Sequence, residues 1–192
     1  MKSWDQTELK HTLQKTFPTL NEETLHAILP FCEFKQARKH AEVHSEGKHH
    51  PYSYMILKGA AKAYYFKEDK EVCIWFAFEG EFIGSMATFL GMPSLETVAL
   101  MEDSDLIQIQ IKELRELAQR DLSMCRLVNE LLIEHAMFTE EKLRQLQFMT
   151  AQERYAALLD KTPDMLQRVS LTDIASYLGV SRETLSRIRA LK

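Results

Sequence analysis

Apolar residues in the middle of this chain come in short runs of strand length. Four runs rich in aromatic and β-branched residues cover positions 52–57, 64–66, 72–78 and 106–111. Five of the six glycines lie between positions 47 and 91, namely Gly47, Gly59, Gly80, Gly84 and Gly91. Short strands with glycine at the corners are typical of a β-roll or small barrel. Residues 67–70 are the predicted hairpin turn between two of these strands.

The segments on either side of these runs have helical spacing. Leu20, Leu25, Ile28 and Leu29 predict a helical stretch before the strands, and residues 112–149 contain no glycine or proline. In the second segment a broken heptad seam is interrupted by His135, Thr139 and Lys142. The apolar residues of that seam are Val128, Leu131, Leu132, Phe138, Leu146 and Met149. A long helix with one such seam can join two copies of a chain; the alternative is that it packs only on its own domain.

Two N-capping patterns follow the long helical segment. Thr150 and Glu153 have the spacing of a capping box, which restarts a helix. That helix is expected to end before Pro163, since the residue before a proline disfavours the α conformation. Ser170, three residues before Asp173, opens the next helix. Its apolar residues recur at the spacing of one buried face: Leu171, Ile174, Ala175 and Leu178.

The helix expected after this turn has two chemically different faces. Gly179 supplies a tight turn, Val180 can pack into the angle between the helices, and Ser181 caps the second helix. One side of that helix carries Thr184, Leu185, Ile188 and Leu191, and the other carries Arg182, Glu183, Ser186 and Arg187. Arginine can donate two hydrogen bonds to guanine and glutamate can accept from cytosine. The pattern predicts a DNA-reading helix-turn-helix; the alternative is an ordinary pair of amphipathic helices with a solvated charged face.

Residues 174–188, with Gly-Val-Ser-Arg-Glu-Thr-Leu-Ser-Arg at 179–187, closely resemble the DNA-reading segment of the Crp/Fnr family of bacterial transcription regulators. A less specific resemblance to the family's roll covers positions 42–43, 46–47, 54–59, 80–85 and 101–105. Together the two resemblances imply an α+β fold. Its parts would be a cyclic-nucleotide-binding-like β-roll sensor domain over 1–118, a dimerisation helix over 119–149 and a helix-turn-helix domain over 150–192. Family members usually continue into a β-wing, whereas this sequence stops at Lys192, so we expect fewer phosphate contacts.

The resemblance implies a bacterial, cytoplasmic, homodimeric transcription regulator rather than an enzyme. Its expected partner is double-stranded DNA, with RNA polymerase as a further candidate. The predicted DNA contacts are Ser181, Arg182, Glu183, Thr184, Ser186 and Arg187. The predicted dimer contacts are Val128, Leu131, Leu132 and Phe138. In a two-fold dimer the reading helices would enter major grooves about 34–36 Å apart, so we expect a near-palindromic operator.

The resemblance also draws attention to an effector pocket that lacks its usual chemistry. In cyclic-nucleotide-binding relatives a Gly-Glu pair holds the ribose and an arginine pairs with the phosphate. Here Gly84 is followed by Ser85, no arginine lies between Arg38 and Arg115, and Glu96 would repel a phosphate. We therefore expect no cyclic AMP binding in the usual way and no cofactor, although another small-molecule effector is compatible with the sequence. The candidate pocket residues are Phe82, Gly84, Ser85, Glu96, Thr97, His135 and Thr139.

Four histidines in the β region suggest an alternative of another class, a cupin-like metal-dependent enzyme. His40, His44, His49 and His50 lie close together in the sequence, and imidazoles are common metal ligands. A cupin-like site needs His-x-His spacing, a glutamate and a later histidine, all pointing inward. His49 and His50 are adjacent and would point to opposite faces of a strand, and the next histidine is His135. We therefore expect solvated loop histidines and no metal site.

Composition and charge agree with a DNA-binding unit on an acidic body. The chain is 45% hydrophobic and 27% charged, with a formal net charge of −4. Residues 161–192 hold six lysines and arginines against three acids, which leaves +3 there and −7 on the rest. The three cysteines, Cys32, Cys73 and Cys125, are too few for a four-thiolate iron–sulfur cluster and fit reduced cytoplasmic thiols. No run reaches the roughly 18 apolar residues of a membrane span.

Overall fold

The computed structural model describes residues 6–68, 70–163 and 165–190. Within these ranges the strands form two antiparallel sheets of four strands each, in the orders β1-β8-β3-β6 and β2-β7-β4-β5. The chain passes repeatedly from one sheet to the other, which confirms the predicted roll. The strands are β1 (Cys32–Ala37), β2 (Glu42–His44), β3 (Tyr52–Lys58), β4 (Ala61–Lys67), β5 (Lys70–Ala77), β6 (Phe82–Ile83), β7 (Thr97–Leu100) and β8 (Ser104–Gln110).

Helices precede, interrupt and follow the roll. A 3₁₀ turn, Leu29–Phe31, connects the N-terminal helices to β1. The helices are α1 (Gln6–Thr16), α2 (Glu22–Ile28), α3 (Met86–Phe89), α4 (Ile111–Arg120), α5 (Leu122–Phe148), α6 (Ala151–Lys161), α7 (Met165–Arg168), α8 (Leu171–Leu178) and α9 (Arg182–Ala190). The expected α+β fold is therefore confirmed. No helix in the described ranges is long and apolar enough to cross a membrane.

The roll is closed by tight turns and by burial between its two sheets. The predicted hairpin is present, because Lys67 of β4 pairs with Lys70 of β5. Gly59 joins β3 to β4 with φ at +115°, and a Cβ atom there would collide with Ser104. The inward-facing side chains of the two sheets form one apolar core: Ile56, Ala61, Ala63, Ala77, Ile83, Val98, Leu100 and Leu106.

The helical stretch after the roll is divided at one residue. Asp121 ends α4 and caps α5, because its Oδ1 accepts from the Met124 amide at 2.7 Å. The same oxygen accepts from the Thr24 hydroxyl at 2.8 Å, which ties this corner to α2. The long helix therefore begins at Leu122, three residues later than the expected boundary at 119.

The C-terminal helices start and stop where the capping patterns predict. Thr150 and Glu153 form the complete capping box of α6, which ends at Lys161, before Pro163. Ser170 Oγ accepts from the Asp173 amide at 3.1 Å and opens α8. A separate apolar core holds these helices together, from Tyr155, Met165, Val169, Ile174, Ala175, Leu178, Leu185 and Ile188.

Candidate functional site

The last two described helices form a helix-turn-helix. Gly179 ends α8 in the left-handed conformation with φ at +69°, and its amide donates back to the carbonyls of Ala175 and Ser176. This geometry favours glycine because it has no Cβ. Ser181 then caps α9, since its Oγ accepts from the Thr184 amide at 3.1 Å.

The two faces of α9 are arranged as the sequence predicts. Leu185 and Ile188 are buried against α8, with exposed fractions of 1% and 8%. The four polar residues of the opposite face, Arg182, Glu183, Ser186 and Arg187, are all exposed. Ser181 and Thr184 lie at its N-terminal end. Leu191, expected on the apolar side, lies outside the described residues.

The charges on this face are available to a ligand. The pKa of Glu183 lies below its ordinary value, first because its own backbone amide donates to it and then because of the Ser181 hydroxyl. Its carboxylate is therefore ionised at neutral pH and can accept hydrogen bonds. The Arg187 Nη2 donates only a long bond of 3.4 Å to the Thr184 hydroxyl, so its guanidinium can reach outward.

Two cations from other helices hold the carbonyl end of α8. The Lys142 Nζ of α5 donates to the Tyr177 carbonyl at 2.7 Å. The Arg154 guanidinium of α6 donates to the Leu178 carbonyl at 2.9 and 3.1 Å. Positive groups at a helix C-terminus pair with free carbonyls and with the helix dipole. Sequence reasoning treated Lys142 only as an interruption of the seam, because nothing in the sequence places α5 beside α8.

The long helix α5 carries an apolar stripe whose side chains stay largely exposed in the described structure. Residues spaced alternately four and three apart share one face of a helix, and here they are Leu132, Ala136, Thr139, Leu143 and Leu146. Leu132, Leu143 and Leu146 are 36%, 56% and 50% exposed. Beside the stripe, Ile133 and Met137 are 54% and 61% exposed. We name residues 132, 136, 139, 143 and 146 the α5 stripe.

The four predicted dimer contacts do not all lie on this stripe. Leu132 belongs to it, whereas Val128 and Leu131 pack against the core formed by the N-terminal helices and the roll. Phe138 is half-buried and faces a groove beside the roll. The helix therefore uses one apolar face for its own domain and leaves another exposed. Sequence reasoning placed Leu146 in the seam but missed Leu143, which lies three residues before it on the same face.

A large groove lies between α5, the N-terminal helices and the roll. Its volume is about 1070 Å³, and Phe17, Trp75, Phe82, Phe89 and Phe138 line it. Of the predicted effector residues, the groove brings together Phe82, Gly84, Ser85 and His135. Glu96 and Thr97 are absent from its walls. Thr139 lies on the α5 stripe, where its hydroxyl donates to the His135 carbonyl at 2.9 Å.

The residues that replace the nucleotide-binding pair have structural partners. Ser85 is 6% exposed, and its Oγ caps α3 by accepting from the Thr88 amide at 3.0 Å. A Cβ on Gly84 would lie 2.9 Å from the Ser53 Oγ, so a larger residue there would displace the Ser53 hydroxyl. Burial raises the pKa of Glu96, which is 6% exposed. A carboxyl in this environment cannot replace a guanidinium as the partner of a phosphate.

The histidine cluster differs from its predicted arrangement. His40 and His49 are exposed as expected, but His44 on β2 is fully buried and the prediction of a solvated side chain is wrong for it. Its Nε2 lies 2.8 Å from the Tyr52 carbonyl, and its ring stacks on His50 with 4.7 Å between centroids. Burial is the main reason why its pKa falls to about 4. The described residues include no group of three or more His, Cys, Asp or Glu side chains that could hold a metal ion.

The roll and the helix-turn-helix are matched by known proteins. Residues 34–121 match the cyclic nucleotide-binding domain family. The chain is 24% identical over 177 residues to the cAMP-activated global transcriptional regulator CRP of Salmonella typhimurium. The aligned region covers 86% of this chain and 84% of the relative.

Solved structures share most of this arrangement. FixK2 from Bradyrhizobium japonicum has a TM-score of 0.74 at 23% identity and covers 83% of each chain. The c-di-GMP responsive regulator CLP from Xanthomonas campestris has a TM-score of 0.69 at 20% identity, covering 88% of this chain and 90% of its own. The fold is thus that of a cyclic nucleotide-binding roll followed by a helix-turn-helix. The chain as a whole is similar to transcription regulators of the Crp/Fnr type, and its roll matches the cyclic nucleotide-binding domain family.

Proposed function

We propose that this protein is a transcription regulator that binds double-stranded DNA as a homodimer and reads a near-palindromic operator through α9. The observation that carries the proposal is the face formed by Arg182, Glu183, Ser186 and Arg187. It is exposed, although the opposite face of the same helix is buried against α8. A rigid helix that presents donors and acceptors outward meets the requirements of major-groove recognition.

The residues of this face have distinct expected roles. The two guanidinium groups, Arg182 and Arg187, would donate to guanine edges, and the ionised Glu183 would accept from a base amino group such as cytosine N4. Ser181 and Thr184 stand at the N-terminus of α9, where free amides and the helix dipole favour a DNA phosphate. Ser186 would reach a base or a phosphate between the two arginines.

The α5 stripe supports the homodimer. Exposed leucines at heptad spacing form the seam of a two-stranded coiled coil, in which burial removes them from water. A second copy of the same helix supplies the complementary surface. Two reading helices would then bind two half-sites, and the regulator would act on RNA polymerase at promoters in the bacterial cytoplasm.

The effector site is degenerate in this proposal. Ser85 is committed to capping α3, and the buried carboxyl of Glu96 offers no positive charge to a cyclic phosphate. The aromatic groove beside α5 is the better candidate for a small apolar effector, because apolar walls with few polar groups are typical of ligand sites. The cupin-like alternative is not favoured, since the buried Nε2 of His44 is already bonded to a backbone carbonyl.

Selection from a random DNA library tests this function. The full-length protein is expected to enrich a two-fold symmetric sequence. Arg182→Ala and Arg187→Ala are each expected to cost about 1–3 kcal/mol on that site and to relax the base preference at one position. Arg120→Ala removes an exposed arginine at the end of α4 and serves as the charge-matched control. Equal losses on selected and random DNA, or no enrichment, would contradict base reading by α9.

A further inference from the structure

The helix-turn-helix is docked on the roll through the edge strand β5. Among the described residues this strand ends its sheet, so one row of its backbone groups has no neighbouring strand. Ser176 of α8 covers two of these groups, because its Oγ accepts from the Cys73 amide at 2.9 Å and donates to the Glu71 carbonyl at 3.2 Å. A hydroxyl can do both at once, and here it takes the place of a residue on an adjacent strand.

Two sets of ion pairs reinforce the contact made by Ser176. Asp173 Oδ1 accepts from the Lys62 Nζ of β4 at 2.8 Å, and the two side chains are only 21% and 17% exposed. Arg168 of α7 donates to Glu79 at 2.8 Å, to the Gly59 carbonyl at 2.9 Å and also to Glu102. Partly buried pairs of this kind are screened less by salt than exposed ones.

An aromatic contact completes the docked surface. Tyr177 of α8 lies against Phe76 of β5, with 5.3 Å between ring centroids. On its other side the Lys142 Nζ of α5 stands 3.1 Å from the Tyr177 ring centroid. Helix α8 therefore contacts the roll and the long helix together, while the reading face of α9 stays exposed. We name Arg168, Asp173, Ser176 and Tyr177 the docking set.

We propose that the docking set fixes the position of α9 relative to the roll, with Ser176 and Arg168 as positioning residues that set the half-site spacing the protein accepts. The inference rests on the proposed DNA-reading function. Only Met149 and Thr150 separate α5 from α6, so an undocked unit would pivot at that point. Two pivoting reading helices would sample many separations, and binding a fixed pair of half-sites would then cost ordering entropy. Docking removes this entropy cost for operators whose half-site spacing matches the fixed separation of the two helices. Operators with another spacing would then bind more weakly, because the helices could not reach both half-sites without undocking.

The first test needs no DNA. Ser176→Ala removes both bonds to β5, and Ser176→Ala with Arg168→Met also removes the contacts to Glu79 and Gly59. Hydrogen exchange of the Cys73 amide, followed by NMR, reports on its bond to Ser176, and Arg168→Met alone, which keeps that acceptor, shows whether undocking by itself exposes the amide. The double variant is expected to exchange about tenfold faster or more at that amide, while amides between β3 and β8 keep their protection. Thr172→Ala, an exposed hydroxyl on the same helix, is the matched control.

The second test measures the spacing that each variant accepts. The probes are the operator selected by the wild type, versions with one or two base pairs added or removed between half-sites, and a single half-site. The double variant is expected to lose most of the preference for the selected spacing yet bind the single half-site as the wild type does. A merely structural role would weaken both and lower the melting temperature.

Unchanged exchange at Cys73 would overturn the proposal, and so would a double variant that keeps the wild-type spacing preference. Tighter binding of the selected operator by the double variant would also overturn it, because the docked unit would then be inhibitory. A wild type that selects no DNA would refute the proposed function, and the exchange measurement would still decide whether the docking set holds α8 on β5.

Discussion

Acidification is expected to destabilise this protein through His44. The Nε2 of this buried ring lies 2.8 Å from the Tyr52 carbonyl, which can only accept, so Nε2 carries the hydrogen. The other ring nitrogen, Nδ1, is buried and has no hydrogen-bond partner among the described residues. Protonation would place a new donor and a charge there, beside the ring of His50. Burial is accordingly the main cause of the low pKa of about 4.

The size and sign of the effect follow from linkage. His44 has a pKa of about 4 in the folded chain and 6.5 as its ordinary value, so the unfolded chain binds the proton more readily between these two pH values. The contribution to stability is complete above pH 6.5 and is lost as the pH falls toward 4. Between pH 7 and pH 4.5 the free energy of unfolding is expected to fall by about 2 kcal/mol from this residue alone.

Urea unfolding at a series of pH values, with and without His44, measures this contribution. His44→Gln keeps an amide donor for the Tyr52 carbonyl but does not titrate, and His49→Gln removes an exposed histidine as the control. The wild type and His49→Gln are expected to lose about 2 kcal/mol more than His44→Gln over this pH interval. Parallel pH profiles for the wild type and His44→Gln would refute the reasoning, as would an NMR titration that places the His44 pKa near 6.5.

Three further predictions concern the effector site, assembly and the turn. Cyclic AMP is expected to leave the melting temperature unchanged, whereas a ligand at about 100 times its dissociation constant would add about 2.7 kcal/mol, so a saturable shift would contradict the degenerate pocket. Leu132→Glu is expected to give a monomer in sedimentation with the far-UV spectrum intact, while Arg126→Glu, off the α5 stripe, remains dimeric; a monomeric wild type would contradict the assembly. Gly179→Ala is expected to lower the free energy of unfolding by about 1 kcal/mol in denaturant titration, because φ is +69° there; unchanged stability would contradict a strained turn.

Local sequence signals predicted the elements of this protein well. The capping patterns at Thr150 and Ser170 and the glycine at position 179 act over three or four residues, so their geometry follows from the residues themselves. The same holds for α9, where a period of 3.6 residues separates Leu185 and Ile188 from the polar face. The choice of Arg182 and Arg187 as DNA contacts stays a prediction, since it depends on a ligand as well as on the fold.

Tertiary structure decided which surfaces meet. The seam on α5 contains apolar residues of two kinds, and only the packing of that helix on the roll shows that Leu131 is covered and Leu143 is exposed. Burial of His44 depends on strand β3, because the Tyr52 carbonyl that binds it lies eight residues away.

The sequence by itself determined local conformation: where helices begin, where the chain turns and which face of each helix is apolar. It did not determine the docking of α8 on β5, because Ser176 and Cys73 are separated by 103 positions and no local pattern links them. A hydroxyl on a helix is an ordinary surface group until a strand edge with free backbone groups is brought against it. Such contacts depend on the relative placement of whole elements, which arises from the summed burial of many side chains rather than from any short pattern.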